Sequence, residues 1–302
     1  MMQTMQVQSG NVVDFLRQLF ELQMESKYFF RGYSDIKQLN PTLVRNYDRL
    51  KIWDKYGDDM GMRKYEIFLL TQYARYSVQY LPHFHNSLDW VASAQHFGLP
   101  TRLLDWSQDP FVALYFSCFF NKEPQDSHYY LIVADRTKNL YCENIPNFYP
   151  DSSYTATTNV EILNSYKVLV DSILSATHGV FSYTYRDEPR KNFCKWYQDN
   201  LLEEVKQKEY KLFFCTINDS NPRIIAQKGL FQLPRRFVNS KNEDCIADDI
   251  FNSSKTLYKI ECNCRDEIIN YLDSINITTP RLFPDLQNIC NYISNIDTFP
   301  NL

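Results

Sequence analysis

Glycine is scarce in this chain, with 7 in 302 residues, and neither GxxxxGK[ST] nor GxGxxG occurs. Nothing therefore supports a P-loop or a dinucleotide-binding Rossmann site, both of which need glycine where the backbone wraps phosphate. Long apolar runs are missing as well. None approaches the ~18 residues needed to cross a bilayer. The polar stretch from Met1 to Gly10 lacks a charged start followed by an apolar core, so no signal peptide is visible. No excess of either charge stands out: 32 Lys and Arg against 36 Asp and Glu leave a formal charge of −4. The pI near 5.8 gives no global pull toward nucleic acid or membrane. The eight cysteines follow no regular spacing, and without a secretory signal they read as reduced thiols of a cytoplasmic protein. Cys262-x-Cys264 and His83-x-His85 each offer two ligands, but neither has familiar zinc spacing, so no metal is expected.

What the chain does hold is aromatic surface, with 22 Tyr and 21 Phe. Its length permits a substantial core. Val12, Phe15, Leu16, Leu19 and Phe20 form one stripe of a helix over 11–24, with Asn11 and Asp14 placed to cap it. A strand over 27–32 should follow, with Arg31 on the same face as Phe29. Residues 60–80 read as helix. A further helix spans 87–97, with Asn86 as N-cap, Gly98 as C′ cap and Pro100 as stop. Its inward stripe ends on two polar residues, Gln95 and His96. Asp109-Pro110 opens a helix to about 121 that is apolar on every side and should be central and buried. The continuous Tyr129–Ala134 run reads as a buried strand over 128–135.

Beyond it, two long irregular stretches (139–158 and 238–254) flank helices at 161–175 and 193–208 and strands near 210–217 and 223–227. A strand at 256–261 and helices at 265–275 and 284–295 follow, the last striped by Leu286, Ile289, Cys290 and Ile293. The whole reads as one α+β domain: a small mixed sheet around a buried central helix, flanked by peripheral helices.

Chemistry concentrates in the run from Gln95 to Ser107, where polar groups interrupt a core and must either be paired or serve a site. Arg31 can hold a phosphate bidentately, or it can form a buried pair with Asp105 or Asp35. His96 can act as a general base, or bond backbone at its helix end. Thr101, Arg102, Trp106 and Ser107 can form a ring-stacking, hydrogen-bonding platform, or Trp106 can pack against the apolar helix. Gln227, on a strand, can present its amide to a ligand or satisfy backbone. Arg223, Lys228, Arg235 and Arg236 make the densest basic cluster.

Phe30-Arg31-Gly32, the Gln95–Ser107 run and the Phe111–Phe120 stretch resemble the FRG domain family. Arg223–Phe231 and Arg281–Leu286 fit the same pattern. The resemblance divides the chain into an N-terminal helix, 1–26, packed on an FRG-like domain, 27–302. It implies a role in conflict between phage and host. The order of parts is also similar to that of ADP-ribosyltransferases, which place an Arg or His first, a hydroxyl residue second and Glu or Gln third around NAD. Gln227 stands in the third place, without an obvious Glu. The implied protein is an intracellular enzyme acting on NAD or a nucleotide, a toxin or antiphage effector with NAD as substrate. Arg31, His96, Asp105 and Gln227 would be catalytic, and Gln95, Thr101, Arg102, Trp106 and Ser107 would bind substrate. The alternative is a non-catalytic module that recognises protein or nucleic acid. An open pocket lined by Arg31, Thr101, Asp105 and Gln227 would favour the enzyme, and a closed Arg31–Asp105 core the module.

Overall fold

Eight strands join in one mixed sheet in the computed structural model, which describes residues 2–51, 87–119, 126–142, 212–216, 221–234 and 246–294, with isolated positions at 62–76, 123 and 124. In chain order they are β1 (Gln3–Val7), β2 (Tyr28–Tyr33), β3 (Leu104–Ser107), β4 (His128–Asp135), β5 (Leu140–Cys142), β6 (Phe213–Cys215), β7 (Gly229–Leu233) and β8 (Ser254–Glu261). Their order across the sheet is β1-β8-β4-β2-β3-β7-β6-β5. The outermost pair at each edge is parallel and the inner pairs are antiparallel. The α+β class holds, with a sheet larger than the small one expected.

Helices cover both faces. On one lie α1 (Val12–Met24) and the helix expected to be central. Next come α2 (Thr42–Arg49), α3 (Ser87–His96) and, closing the run, that central helix, α4 (Pro110–Cys118). Asp109 accepts hydrogen bonds from the amides of Phe111 and Val112, and Pro110 fills the first helical turn. All of α4 except Phe116 is buried. It packs through Val112, Leu114 and Tyr115 against Phe15 and Leu19 of α1 and Phe30 of β2. Gly32 lets it come this close. A Cβ built there would lie 1.8 Å from the Ala113 carbonyl oxygen, so helix backbone rests directly on strand backbone.

The opposite face carries a second core, in which Leu43 and Tyr47 of α2 meet Phe29, Trp106 and Phe214. At the end of α3, Gly98 has φ +90° and donates to the Gln95 carbonyl, while Leu99 donates to that of Ala94. These two bonds close the helix in a Schellman cap, as expected.

Several expectations need correction. The polar start forms β1, an edge strand in which only Val7 is buried, so no apolar alternation announces it. Asn11 stands at the start of α1 without capping it. Its side chain instead accepts from Gln8 N and donates to the Gln6 carbonyl, fixing the β1–α1 turn. Phe20, on the predicted stripe, is 54% exposed.

Residues 223–227 are not a strand. Asn221 caps α5 (Pro222–Ala226), and Lys228, at φ 44°, turns the chain into β7. The second irregular stretch contains α6 (Ile246–Ser253). The last helices are α7 (Arg265–Ser274), α8 (Thr279–Leu282) and α9 (Leu286–Ser294), and Leu286 and Ile293 on the α9 stripe are exposed. The described positions within 62–76 are helical. Asn86, His83, His85, Arg235, Arg236, both helices between 161 and 208 and most of the first long loop lie outside the described residues. Among the described residues no helix is long and apolar enough to cross a membrane, and no cluster of three or more metal-ligating side chains occurs.

Candidate functional site

Strands β2 and β3 share a single paired position, Phe30 opposite Ser107. Past it the strands part, because Arg31, Gly32 and Tyr33 go on pairing with β4 while Leu104–Trp106 pair with β7. A cleft of about 430 Å³ opens in the gap and draws side chains from both faces of the sheet. Arg31 spans it: Nη1 donates to the main-chain carbonyl of Asp105 and Nη2 to that of Gln38. The first bond bridges the parted strands, and the second ties Arg31 to the 3-10 turn at Ile36–Leu39 that follows β2. Nε of Arg31 is buried with no hydrogen-bond partner, and burial pulls the guanidinium down to a pKa of about 10. Asp35 is not its partner, since that carboxylate caps the turn at Lys37.

The Asp105 carboxylate lies inside the cleft. Its Oδ1 accepts from Gln95 Nε2 at 2.8 Å, and Gln95 Oε1 in turn accepts from the Thr101 hydroxyl. The hydroxyl thus orients the amide so that its nitrogen must face the acid. Water reaches Asp105 from the mouth of the cleft, yet protein crowds it. Desolvation raises its pKa against the pull of Arg31 and Arg223. Arg45 of α2 and Arg223 of α5 also line the cleft, and both feel the Asp105 charge. Asp105 is the one carboxylate among the described lining residues, facing three guanidiniums. The imidazole of His96 has its pKa lowered, first by burial and then by Arg223, so it is neutral near pH 7.

Of the residues singled out in the sequence, Arg31, Gln95, His96, Asp105, Trp106, Ser107 and Gln227 line the cleft. Thr101 does not; fully buried, it stands behind Gln95. Arg102 points away and grips Glu66 in a buried pair, with Nε 2.8 and 2.9 Å from the two carboxylate oxygens. The Trp106 ring is 3% exposed, donates to Gln232 Oε1 at 3.0 Å and meets Phe214 edge-on, as core residues do. The Ser107 hydroxyl donates to the Gln227 carbonyl at 2.8 Å and accepts from Asp109 N, tying β3 to the end of α5. The Gln227 amide donates to the Leu282 carbonyl at 2.9 Å.

Sequence reasoning missed Arg45 altogether and saw Arg223 in a basic cluster and in the family-like Arg223–Phe231 stretch, but not as a residue of the site. In Arg45 the signal was weak, because its helix, α2, is short. In Arg223 it was Asn221-Pro222, the same cap-and-first-turn pair that marks α4. Lys228 of that cluster faces Asp109 instead, at 2.8 Å. Phe116 is the half-buried aromatic of the cleft wall.

The molecule is thus an α+β protein with an arginine-rich cleft at a parting of its sheet. The model of the FRG domain family matches residues 26–127. The match takes in β2, β3, α2, α3, α4 and most of the cleft's polar residues, but neither the Arg223 region nor Arg281–Leu286. No curated protein and no solved structure matches the chain.

Proposed function

We propose that the cleft binds a nucleotide-type ligand through its phosphates, and that the protein is an NAD- or nucleotide-directed enzyme resembling ADP-ribosyltransferases in its reaction. A toxin or antiphage effector role is the biological reading that goes with it. The observation that supports this most is the charge balance of the cleft: three guanidiniums against one carboxylate, leaving an excess of two positive charges even with Asp105 ionised. Such a surplus in a partly desolvated cleft favours an anion, and guanidinium suits phosphate geometry. The cleft is open and carries Arg31, Asp105 and Gln227 on its walls, although Thr101, expected there, stands behind Gln95; with Asp105 reachable from the mouth, this supports an enzyme over a module with a sealed Arg–Asp core.

Asp105, fixed through Gln95, would accept hydrogen bonds from ribose hydroxyls. His96, neutral near pH 7, would take the proton of an attacking water or acceptor hydroxyl as the glycosidic bond breaks. Phe116 would flank the base or the nicotinamide ring. Trp106 and Arg102 have no part in this reading, since both are committed to the core.

The test is thermal unfolding of the full chain with NAD and ADP-ribose, followed by an assay of NAD consumption. A ligand that binds the native state at a hundredfold excess over its Kd adds ~2.7 kcal/mol of stability. We expect a raised midpoint with either nucleotide, and turnover of NAD that fails in Asp105→Asn. A midpoint unmoved by both nucleotides, with NAD left intact, would refute the proposal.

A further inference from the structure

We infer that Arg45 and Arg223, reaching the cleft from opposite faces of the sheet, form a two-pronged clamp for a diphosphate, and that Arg31 is not its principal holder. This rests on reading the cleft as a nucleotide-type site and assigns the recognition within it.

The argument starts from how each guanidinium is used. Both terminal nitrogens of Arg31 are engaged by main-chain carbonyls, one of Asp105 in β3 and one of Gln38 in the 3-10 turn at Ile36–Leu39, so its fork is turned toward the protein. Arg45 makes one long bond, 3.3 Å, to Thr42 Oγ1 of its own helix. Arg223 lies over the Phe283 ring, 4.5 Å from its centre, a cation–π contact that uses the ring face and no hydrogen-bond acceptor. Neither has a carboxylate within ion-pair distance among the described residues, although both are partly desolvated and both act on Asp105 at longer range. Beyond Asp105, Arg45 feels Asp35 and Arg223 feels Asp285, each only at longer range; two cations without a direct ion pair, on either side of the cleft's one carboxylate, suit a ligand carrying two linked negative groups. Hydroxyls beside those groups would meet Asp105, which is held in place by Gln95. The ligand class that combines linked phosphates with adjacent hydroxyls is a diphosphate-bearing sugar or nucleotide.

The placement of the two arginines bears on the test. Arg45 is exposed on α2, and Arg223 lies on a helix of one and a half turns at the rim. Neither belongs to either hydrophobic core. Neutral variants should therefore fold, and the thermal midpoint without ligand verifies it. Arg45→Lys and Arg223→Lys keep the charge while removing the fork.

The experiment is calorimetric titration of the full chain, wild type, Arg45→Gln and Arg223→Gln, with ADP-ribose and with inorganic pyrophosphate. We expect each variant to bind both probes about tenfold or more weakly, the loss of one charge-assisted contact, and the Lys variants to fall in between. Wild-type binding of ADP-ribose that both Gln variants retain within about twofold would overturn the clamp and leave the nucleotide reading standing. Wild-type binding of pyrophosphate but not ADP-ribose, lost in the Gln variants, would support the clamp and overturn the nucleotide reading. Failure of the wild type to bind either probe would overturn both.

Discussion

Replacing Gly32 by alanine is a severe perturbation for a single methyl group. A Cβ at that position would stand 1.8 Å from the Ala113 carbonyl oxygen and 2.8 Å from the Ser117 amide nitrogen, both of them backbone atoms of α4. Cβ atoms essentially never approach a heavy atom more closely than 3.0 Å, so α4 or β2 must retreat by roughly 1 Å or more. No side-chain rotation relieves the clash. A gap of ~0.5–1 Å already forfeits a quarter to a half of a dispersion contact. The retreat would loosen the contacts of Phe30 with α4 and, behind them, those of α4 with Leu19 and Phe15. Overpacking commonly costs ~1–3 kcal/mol, and backbone displacement at the centre of the fold puts this case at the top of that range or above it.

Two other glycines serve as controls. At Gly98 nothing lies within 4 Å, but φ is +90°. Gly98→Ala should therefore cost only the left-handed backbone penalty, ~1–2 kcal/mol. Gly10 has neither a neighbour within 4 Å nor a positive φ, so Gly10→Ala should change stability by no more than ~0.5 kcal/mol in the destabilising direction. Urea unfolding with linear extrapolation would measure all three. The order Gly32, then Gly98, then Gly10 is the prediction. Gly32→Ala within about 1 kcal/mol of wild type would refute the claim that the glycine of the Phe-Arg-Gly triplet exists to seat α4 on β2.

Two further outcomes follow from the site and its support. Arg102→Met leaves the Glu66 carboxylate buried without its partner and should cost ~3–5 kcal/mol, most of it regained in the double variant with Glu66→Leu; equal losses in single and double variants by thermal unfolding would show that the pair itself is not what matters. Asp105 binds its proton more tightly in the folded protein than in the unfolded chain, so its contribution to stability falls as pH rises from the ordinary Asp range through the raised value. Asp105→Asn should flatten that slope and stabilise the protein above it, and an unchanged pH–stability curve would contradict the account.

Much of the framework was legible because local chemistry decides it. Asp109-Pro110 can hardly do other than start a helix, Gly98 caps one, and an apolar run with no polar face must be buried. The run from Gln95 to Ser107 likewise announced that polar groups enter a core. Elements were lost where local signals are weak. An edge strand such as β1 carries no buried stripe, and α5 has too few residues to show a helical period, so Asn221-Pro222 was its one mark.

Within the Gln95–Ser107 run, residue type could not tell function from support. Arg102 and Asp105 are three residues apart and equally ionic. The first turns to Glu66 and the second into the cleft, according to what the neighbouring elements bring. Trp106 became core because β7 and β6 offer it Gln232 and Phe214. Gly32 shows the same dependence: its lack of a side chain is plain in the sequence, while the helix backbone that requires it is contributed by Ala113, far along the chain.

The character of the chain, its secondary-structure periods and its polar-in-apolar run were therefore fixed by residue order, since they depend on neighbours a few positions away. The cleft itself was decided by tertiary structure. It exists because β2 stays with β4 while β3 goes with β7, and that parting alone brings Arg31, Arg45, Asp105 and Arg223 around one space. Pairing between strands distant in sequence is a global choice, made by burying two cores at once, and no local pattern encodes it.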